Sequence, residues 1–359
     1  MQTMTISPAA DALDIGDETL AGHERVLFCR DDESGLRAII AIHDTTLGPG
    51  LGGTRFKAYP SDQDALHDVL RLSRGMTSKN AAAGLPFGGA KAVIIGDPRT
   101  AKTPELLRAY GRFVDSLEGR YVTAADLGTN SDDLDVIGEV TTHVTGRTAA
   151  AGGSGDSGPA TALGVFSAMR AGAERQWDEG LKGRVVGVEG AGKVGGVLTR
   201  LLLDAGATVV VADPDPAARE RVSAATGGAV QLAETLTGPE LDVYAPCALG
   251  ATVTVERARS FGARLVCGAA NNQLPTPHED AALHAAGILW VPDYVANAGG
   301  VIHLAGAERL RRSPEEVTAD VRRIGDTARE ILTRSAESGI PTGAAADEVV
   351  AARLAAARA

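Results

Sequence analysis

Aromatic side chains are scarce in this chain: two Trp, five Tyr and six Phe amount to 4% of it. Its cores must therefore be built from Ala, Val, Leu and Ile. Cysteine is scarcer still. Cys29, Cys247 and Cys267 lie far apart and form neither a metal-spaced pair nor an even disulfide set. That pattern argues against a disulfide scaffold or a cysteine metal centre, so no metal is expected and a reducing cytoplasm is the expected compartment. Basic charge is in deficit, with 35 Lys and Arg against 46 Asp and Glu and a formal net charge of −11. A chain without a basic excess is a poor tracker of phosphate backbones, which excludes nucleic acid as the expected partner. No run of ~18 apolar residues occurs, so no membrane span is expected. Residues 1–16 lack the basic and apolar regions of a signal peptide, and the last residues carry no lipidation signal. What the chain does have is 44% hydrophobic and 23% charged residues over 359 positions. That is enough apolar material for two domains and rules out wholesale disorder. Glycine is abundant, at 44 residues, against a usual ~7%.

Apolar runs at 25–29 and 36–42, around the turn segment 31–35, predict a β-hairpin. A glycine-rich loop is expected at 47–55 (LGPGLGGTR), then a helix from Ser61 with Ala65, Val69, Leu72 and Met76 on one face. A second glycine-rich loop, 83–91, feeds a strand at 92–95. Thr103 and Pro104 have the character of an N-cap and first helical residue, opening a helix to about Leu117. A short strand follows at 120–124. Residues 1–20 are polar and expected to be frayed. The four glycines of 147–159 mark a domain joint. Beyond it, strands at 184–188, 208–211, 242–245, 265–268 and 288–291 alternate with helices, including 160–176 and 194–205. That alternation predicts a parallel doubly wound sheet. One long amphipathic helix is expected from Ser313 to Gly339, started by Ser313 and Glu316 as a capping box. An Ala-rich helical tail follows Pro341. The fold class is thus α/β in two domains: residues 1–147 for substrate and catalysis, and 148–339 for a Rossmann-type sheet. The helix at about 340–359 is expected to pack back on the first domain.

The strand at 185–189 runs into Gly190-Ala191-Gly192-Lys193-Val194-Gly195, a G-x-G-x-x-G that opens a helix. Gly190 permits the tight turn, Gly192 lets a pyrophosphate approach the backbone, and Gly195 lets helix and strand pack closely. Free N–H groups at the helix N-terminus favour the phosphates. Asp213 closes the next strand, where a carboxylate accepts hydrogen bonds from ribose hydroxyls and repels a 2′-phosphate. The expected cofactor is therefore NAD rather than NADP. The blander readings are an ordinary strand–turn–helix or a Rossmann domain for another nucleotide. A Walker site is excluded, because Gly89 is followed by Ala90-Lys91-Ala92.

Lys79 and Lys91 bracket the second glycine-rich loop. A lone lysine is nearly always a solvated surface charge. Lys91, however, sits between small residues and an apolar strand, where desolvation favours the neutral amine and a general base becomes available. Asp126 follows a strand, where parallel sheets present reactive groups. A turn or helix-cap role for it is equally open on local sequence.

With these blocks in order, the chain resembles the glutamate/leucine/phenylalanine/valine dehydrogenase superfamily, and within it the valine and leucine dehydrogenases most. The blocks are residues 47–55, 76–80, 85–98 (LPFGGAKAVIIGDP), 121–129, 190–195, 245–250 (APCALG), 267–274 (CGAANNQL) and 292–302 (PDYVANAGGVI). The resemblance implies NAD-dependent oxidative deamination of an L-amino acid to a 2-oxo acid and ammonia, and the reverse reductive amination. It implies that Lys79 binds the substrate carboxylate with the backbone around Gly52 and Gly53. Lys91 would activate the water that attacks the imino acid, and Asp126 would exchange protons with the amino group. Asn272 would position substrate or nicotinamide, and Thr161 would help hold the nicotinamide amide. Leu51, Met76, Ala124, Val301 and Leu304 would line an aliphatic side-chain pocket. Discrimination there is only ~1–3 kcal/mol per methylene, so several branched-chain substrates should be turned over. The resemblance also implies a homo-oligomer, and a cleft that closes to protect the imine from water.

Three departures stand out. Ala90 replaces a usual glycine. Ala125 replaces the glutamate usual in leucine dehydrogenases, a change that bears on ammonia affinity. Ile302-His303-Leu304 and Asn130-Ser131 look more like the phenylalanine enzymes, which keeps phenylalanine as an alternative substrate. His303 itself is read as packed or at the surface, not catalytic. A non-catalytic NAD-binding regulator is the alternative of another class, but it would have no reason to keep Lys79, Lys91 and Asp126 together. The glycines receive expected addresses: Gly50, Gly52, Gly53, Gly88 and Gly89 to bring backbone close to a substrate, and Gly152, Gly153 and Gly155 to loosen the joint.

Overall fold

A computed structural model of the chain describes residues 20, 22–236 and 240–359. The frayed start expected for residues 1–20 lies, Leu20 apart, outside the described residues. Contacts divide the chain into two units. The first comprises the described residues up to Thr77 together with Phe87–Ala151, and the second comprises Ser78–Pro86 and Gly152–Ala359.

In the first unit, β1 (Arg25–Asp31) and β2 (Leu36–Asp44) form the antiparallel hairpin, with Cys29 opposite Ala38. β3 (Gly50–Lys57), β4 (Gly88–Ile95) and β5 (Tyr121–Ala125) complete a sheet of order β1-β2-β4-β3-β5. The register pairs Ala41 with Lys91, Leu51 with Gly89 and Gly52 with Thr123. Neighbouring residues of one strand serve opposite faces, as a period of two requires. Ile39, Ala41 and Val93 meet Ala65, Leu66 and Val69 of α1 (Asp62–Ala82). Ile40, Ala92 and Ile94 meet Leu106, Tyr110 and Val114 of α2 (Pro104–Asp115) and Leu134 of α3 (Ser131–Ile137). Thr103 caps α2 as expected, accepting from the Leu106 N–H.

The first glycine-rich loop is largely strand, and the second becomes strand at Gly88. Residues 50–55 belong to β3, and Lys91 stands in the middle of β4 instead of at its mouth. The reason is close chain approach. A Cβ at Gly52 would lie 1.8 Å from the Ala90 carbonyl oxygen, one at Gly53 2.5 Å from that of Ala125, and one at Gly89 2.2 Å from the Thr77 nitrogen. Likewise a Cβ at Gly88 would lie 2.0 Å from the Asp44 oxygen, and one at Gly50 2.7 Å from the Ala90 Cβ. These glycines bring the chain close to its own neighbouring segments.

In the second unit, α4 (Gly158–Gln176), β6 (Val185–Glu189), α5 (Lys193–Asp204), β7 (Thr208–Ala212), α6 (Pro216–Ala225), β8 (Gln231–Ala233), β9 (Val243–Pro246), β10 (Leu265–Val266) and β11 (Leu289–Trp290) follow in order. The sheet runs β11-β10-β9-β6-β7-β8, with every pair parallel. The direction of winding reverses between β6 and β9, the switch point outside which α/β sheets bind ligands. α7 (Gly299–Leu304) runs into a π-helical turn, Ala305–Arg309.

The single long helix expected from Ser313 is two: α8 (Pro314–Arg322) and α9 (Ile324–Ser338). The capping box at Ser313 and Glu316 is present. The break falls just before Gly325, where a Cβ would meet the Ser167 carbonyl of α4 at 3.0 Å. α10 (Thr342–Arg358) is the expected helical tail. Contacts group it with the second unit, whereas it was expected on the first domain. Its Arg353 guanidinium donates to the Ala81 and Ala82 carbonyls at the end of α1, at 3.0 and 2.7 Å. That end of α1 groups with the second unit too, and the first unit ends at Ala151, within the glycine-rich 147–159 segment.

Candidate active site

Lys91 is one of the few buried charges of the first unit, 7% exposed in the middle of β4. A buried ammonium needs a counter-charge. Asp126 supplies it from the turn after β5, with Oδ2 2.9 Å from Lys91 Nζ. Asp126 is not the cap of the next helix. Asn130 takes that role, accepting from the Asp133 N–H. The turn is pinned by Thr129, whose hydroxyl accepts from the Asp126 N–H at 2.9 Å and donates to the Thr54 carbonyl at 2.7 Å. Burial pushes the Asp126 carboxyl up. The Lys91 and Arg55 charges, the Lys91 hydrogen bond and the Leu127 N–H outweigh it, and the group is held below its ordinary 3.8. Arg55 Nε lies 3.3 Å from the same Asp126 oxygen, and Arg55 Nη1 lies 2.8 Å from Asp68 on α1.

Around this pair, Leu51 and Ala124 are buried and Met76 is half-buried. The Gly52 carbonyl accepts from the Tyr121 hydroxyl at 3.0 Å. Ala90 is fully buried, and its methyl group fits because Gly50 opposite has none.

In the second unit, Lys79 is half-buried in the last turn of α1, with Nζ 3.5 Å from Asn271 Oδ1. The same oxygen accepts from Asn297 Nδ2 at 2.8 Å. Asn272 is exposed at a positive φ of 52°, and its carbonyl accepts from the Ala251 N–H. Lys79 also faces Asp293. Burial raises that carboxyl above its ordinary value, opposed by Lys79 and by the N–H groups of Asn272, Tyr294 and Gln273. Val301 and Leu304 are half-buried on α7. His303 is half-buried beside them, with Nε2 3.2 Å from the Ser154 carbonyl. Thr161, in the first turn of α4, donates to the Ser157 carbonyl at 3.1 Å and lies against Gly300.

The glycine turn passes a steric test for a dinucleotide. Gly190 has φ +112°, and a Cβ there would strike the loop after β9. A Cβ at Gly195 would lie 1.9 Å from the Gly190 carbonyl oxygen, whereas one at Gly192 would meet nothing within 4 Å. Gly192 is the N-cap of α5 and no side chain caps it, so the first turn, with Lys193, Val194 and Gly195, offers backbone N–H groups to an anion. The Ala191 N–H is engaged differently: it donates to Asp213 Oδ2 at 2.8 Å, while the Asp215 N–H donates to Oδ1 at 2.9 Å. These two bonds orient the Asp213 carboxylate, and each oxygen retains a second acceptor site.

Arg55, Asp68, Asn271 and Asn297 were not singled out from sequence. Arg55, Asn271 and Asn297 stand inside blocks that carry the resemblance, which was the available signal. Asp68 is an ordinary helix carboxylate with no signal at all. Among the described residues no group of His, Cys, Asp and Glu could hold a metal ion. Among them, too, no helix is long and apolar enough to cross a membrane.

A parallel sheet with a glycine turn at its switch point, in a chain that also pairs a buried lysine with an aspartate, defines a two-domain dehydrogenase. The particular family is shown by comparison with known proteins. The chain belongs to the glutamate/leucine/phenylalanine/valine dehydrogenases. Residues 23–143 match that family's dimerisation domain, and residues 217–359 match the Glutamate/Leucine/Phenylalanine/Valine dehydrogenase domain. It is 49% identical over 342 residues to the valine dehydrogenase of Streptomyces virginiae, covering 94% of this chain and 95% of that one. It is 46% identical to the leucine dehydrogenase of Bacillus cereus, covering 93% and 91%. Among solved structures, the L-tryptophan dehydrogenase of Nostoc punctiforme superposes with a TM-score of 0.84 at 39% identity, covering 96% of this chain and 99% of that one. The family's amino acid dehydrogenases depend on NAD(P).

Proposed function

We propose that the chain catalyses the NAD-dependent oxidative deamination of a branched-chain L-amino acid. An amino acid, NAD and water give a 2-oxo acid, ammonia and NADH, with the reverse reductive amination on the same site. The observation that carries this reading is the buried Lys91 paired at 2.9 Å with the half-buried Asp126, in a chain whose relatives include valine and leucine dehydrogenases. When bound, NAD supplies the acceptor for the hydride that leaves Cα. Gly192 and the first turn of α5 would hold its pyrophosphate, and Asp213 its adenosine ribose. That carboxylate is the reason for NAD over NADP.

The chain's own residues do the remaining work. Lys79 binds the substrate carboxylate with the backbone near Gly52 and Gly53. Asp126 takes a proton from the substrate's ammonium, so that the amine can become an imine. Lys91 takes a proton from the water that attacks the imino carbon, and Asp126 returns a proton to the departing amine. Asn272 and Thr161 orient the substrate and the nicotinamide. Leu51, Met76, Ala124, Val301 and Leu304 offer the substrate side chain only aliphatic surface, which suits valine, leucine and isoleucine. The valine and leucine dehydrogenase relatives do not favour the phenylalanine alternative. A cytoplasmic homo-oligomer is the expected form, supported by the match to a dimerisation domain.

NADH formation with L-valine, L-leucine and L-phenylalanine at alkaline pH tests the reading. Turnover is expected with the aliphatic substrates first, and no turnover with any of the three would overturn it. Lys91→Ala should lose about 10²–10⁴ in kcat, the usual share of a general base. Full activity in that variant would remove the role given to Lys91.

A further inference from the structure

Two cations, not one, converge on Asp126 Oδ2. Lys91 Nζ is at 2.9 Å and Arg55 Nε at 3.3 Å. Arg55 is largely buried on β3 and is itself held from behind. Asp68 Oδ2 accepts from Arg55 Nη1 at 2.8 Å and from the Tyr59 hydroxyl at 2.7 Å, while Asp68 Oδ1 accepts from Arg71 at 2.9 Å. We propose that Arg55, anchored by Asp68, is a positioning residue that keeps the Asp126 carboxylate in place beside Lys91 for proton exchange with the substrate's amino group. The inference rests on the proton-exchange role proposed for Asp126.

The physical need for a second cation comes from Lys91. A lysine that serves as general base must spend part of each cycle as a neutral amine. In that state it no longer compensates the carboxylate next to it. A guanidinium does not deprotonate in proteins, so the charge of Arg55 is constant through the cycle. With Lys91 charged, Lys91, Arg55, Asp126 and Asp68 sum to zero. With Lys91 neutral they sum to one negative charge, and Arg55 is then the cation left on Asp126. Without Arg55 the neutral-lysine state would leave the Asp126 carboxylate without an adjacent cation, while Asp68 keeps Arg71, and Asp126 would take up a proton just when it must accept one from the substrate. Asp68 prevents the long Arg55 side chain from swinging away and fixes its plane.

The charged and titratable groups that act on Asp126 are Lys91 from β4, Arg55 from β3, Tyr121 from β5, Tyr59 from the segment after β3, and Asp68 behind Arg55. Burial pushes both tyrosine hydroxyls up, so they stay neutral through the working range. The Asp68 carboxyl is pushed up by burial, but its bonds to Tyr59, Arg55 and Arg71 bring it below its ordinary value, so it stays charged.

The test is the pH profile of kcat for Arg55→Gln and Arg55→Lys, with Asp126→Asn as reference and melting temperatures recorded alongside. Arg55→Gln should move the acid limb of the profile upward by about one pH unit or more, the effect of removing one adjacent opposite charge. Arg55→Lys should restore most of that displacement, and KM for NAD should not move. A uniform fall in kcat with the limb in place would make Arg55 merely structural and overturn the proposal. Should Arg55→Gln not fold, Asp68→Asn serves. It frees Arg55 from its anchor, so the guanidinium should leave Asp126 and the acid limb should move upward, and a fall in kcat with the limb in place overturns the anchoring. Full activity in Asp126→Asn would remove the Asp126 role and this inference with it. An inactive Asp126→Asn beside an unmoved Arg55→Gln limb removes this inference alone.

Discussion

Asp213 ties the cofactor turn together before any cofactor arrives. Its carboxylate accepts one N–H from the turn itself, at Ala191, and one from Asp215. Asp213→Ala should therefore do two things. It should relax the preference for NAD over NADP, because the negative charge facing a 2′-phosphate is gone. It should also raise KM for NAD, because the turn loses a bond. Steady-state kinetics with both cofactors read the two effects separately, and unchanged selectivity would refute the first. His43 gives a second prediction at this scale. Burial, followed by the His23 and Arg74 charges, lowers its pKa from the ordinary 6.5 to about 4, with Asp44 and Glu24 opposing. Its ring is hydrogen-bonded to the Thr77 hydroxyl at 2.8 Å. The folded protein thus holds His43 neutral where the unfolded chain would protonate it. That contribution to stability is complete above pH 6.5 and is lost as pH falls towards about 4. His43→Gln, which cannot protonate, should lose less melting temperature than the parent between neutral pH and about pH 4.5. An equal or larger loss in the variant would contradict it.

At the scale of elements, the glycines separate into two kinds. Gly89 is where β4 meets the backbone of α1, and an added methyl group would sit 2.2 Å from the Thr77 nitrogen. Gly75 lies on the same helix with nothing within 4 Å. Gly89→Ala should therefore destabilise by about 3 kcal/mol, the upper range for overpacking. Gly75→Ala should stabilise by about 0.5–1 kcal/mol through helix propensity. Denaturant midpoints of the two variants check the opposite signs. The same distinction explains what could and could not be read in the sequence. Caps were legible because they are local: Thr103 before Pro104 and Ser313 with Glu316 act within one turn. The parallel sheet was legible from alternation and the glycine turn. The residues of β3 were taken for loop because glycine usually punctuates. Its glycines answer to Ala90 and Ala125, which are distant in sequence, and nothing in the segment itself reveals them. The break at Arg323 lies beside another such approach, Gly325 against α4, which the segment itself does not reveal. For the site, Lys91 and Asp126 were found through their blocks. Asp68 was not, because its partner is Arg55 across the fold and its own surroundings are those of any helix carboxylate.

At the scale of the whole molecule, each unit has a single chemical emphasis. The first unit sets Lys91, Arg55 and Asp126 together on a mixed sheet, and the second presents a turn and helix N-terminus at the switch point of a parallel one. Low aromatic content suits both, since Ala, Val, Leu and Ile fill most of the layers between strand and helix and the few aromatics, Phe56, Tyr110, Tyr121 and Tyr244 among them, are placed in the cores. The strand position of Lys91 has a further consequence. Its backbone is laddered to Ala41 on β2 and covered on both faces by helices, so no local fraying can release it. Amide hydrogens around it should exchange only through complete opening of the first unit. Separation of Lys91 from Asp126 in denaturant should then coincide with loss of that unit's structure and not precede it.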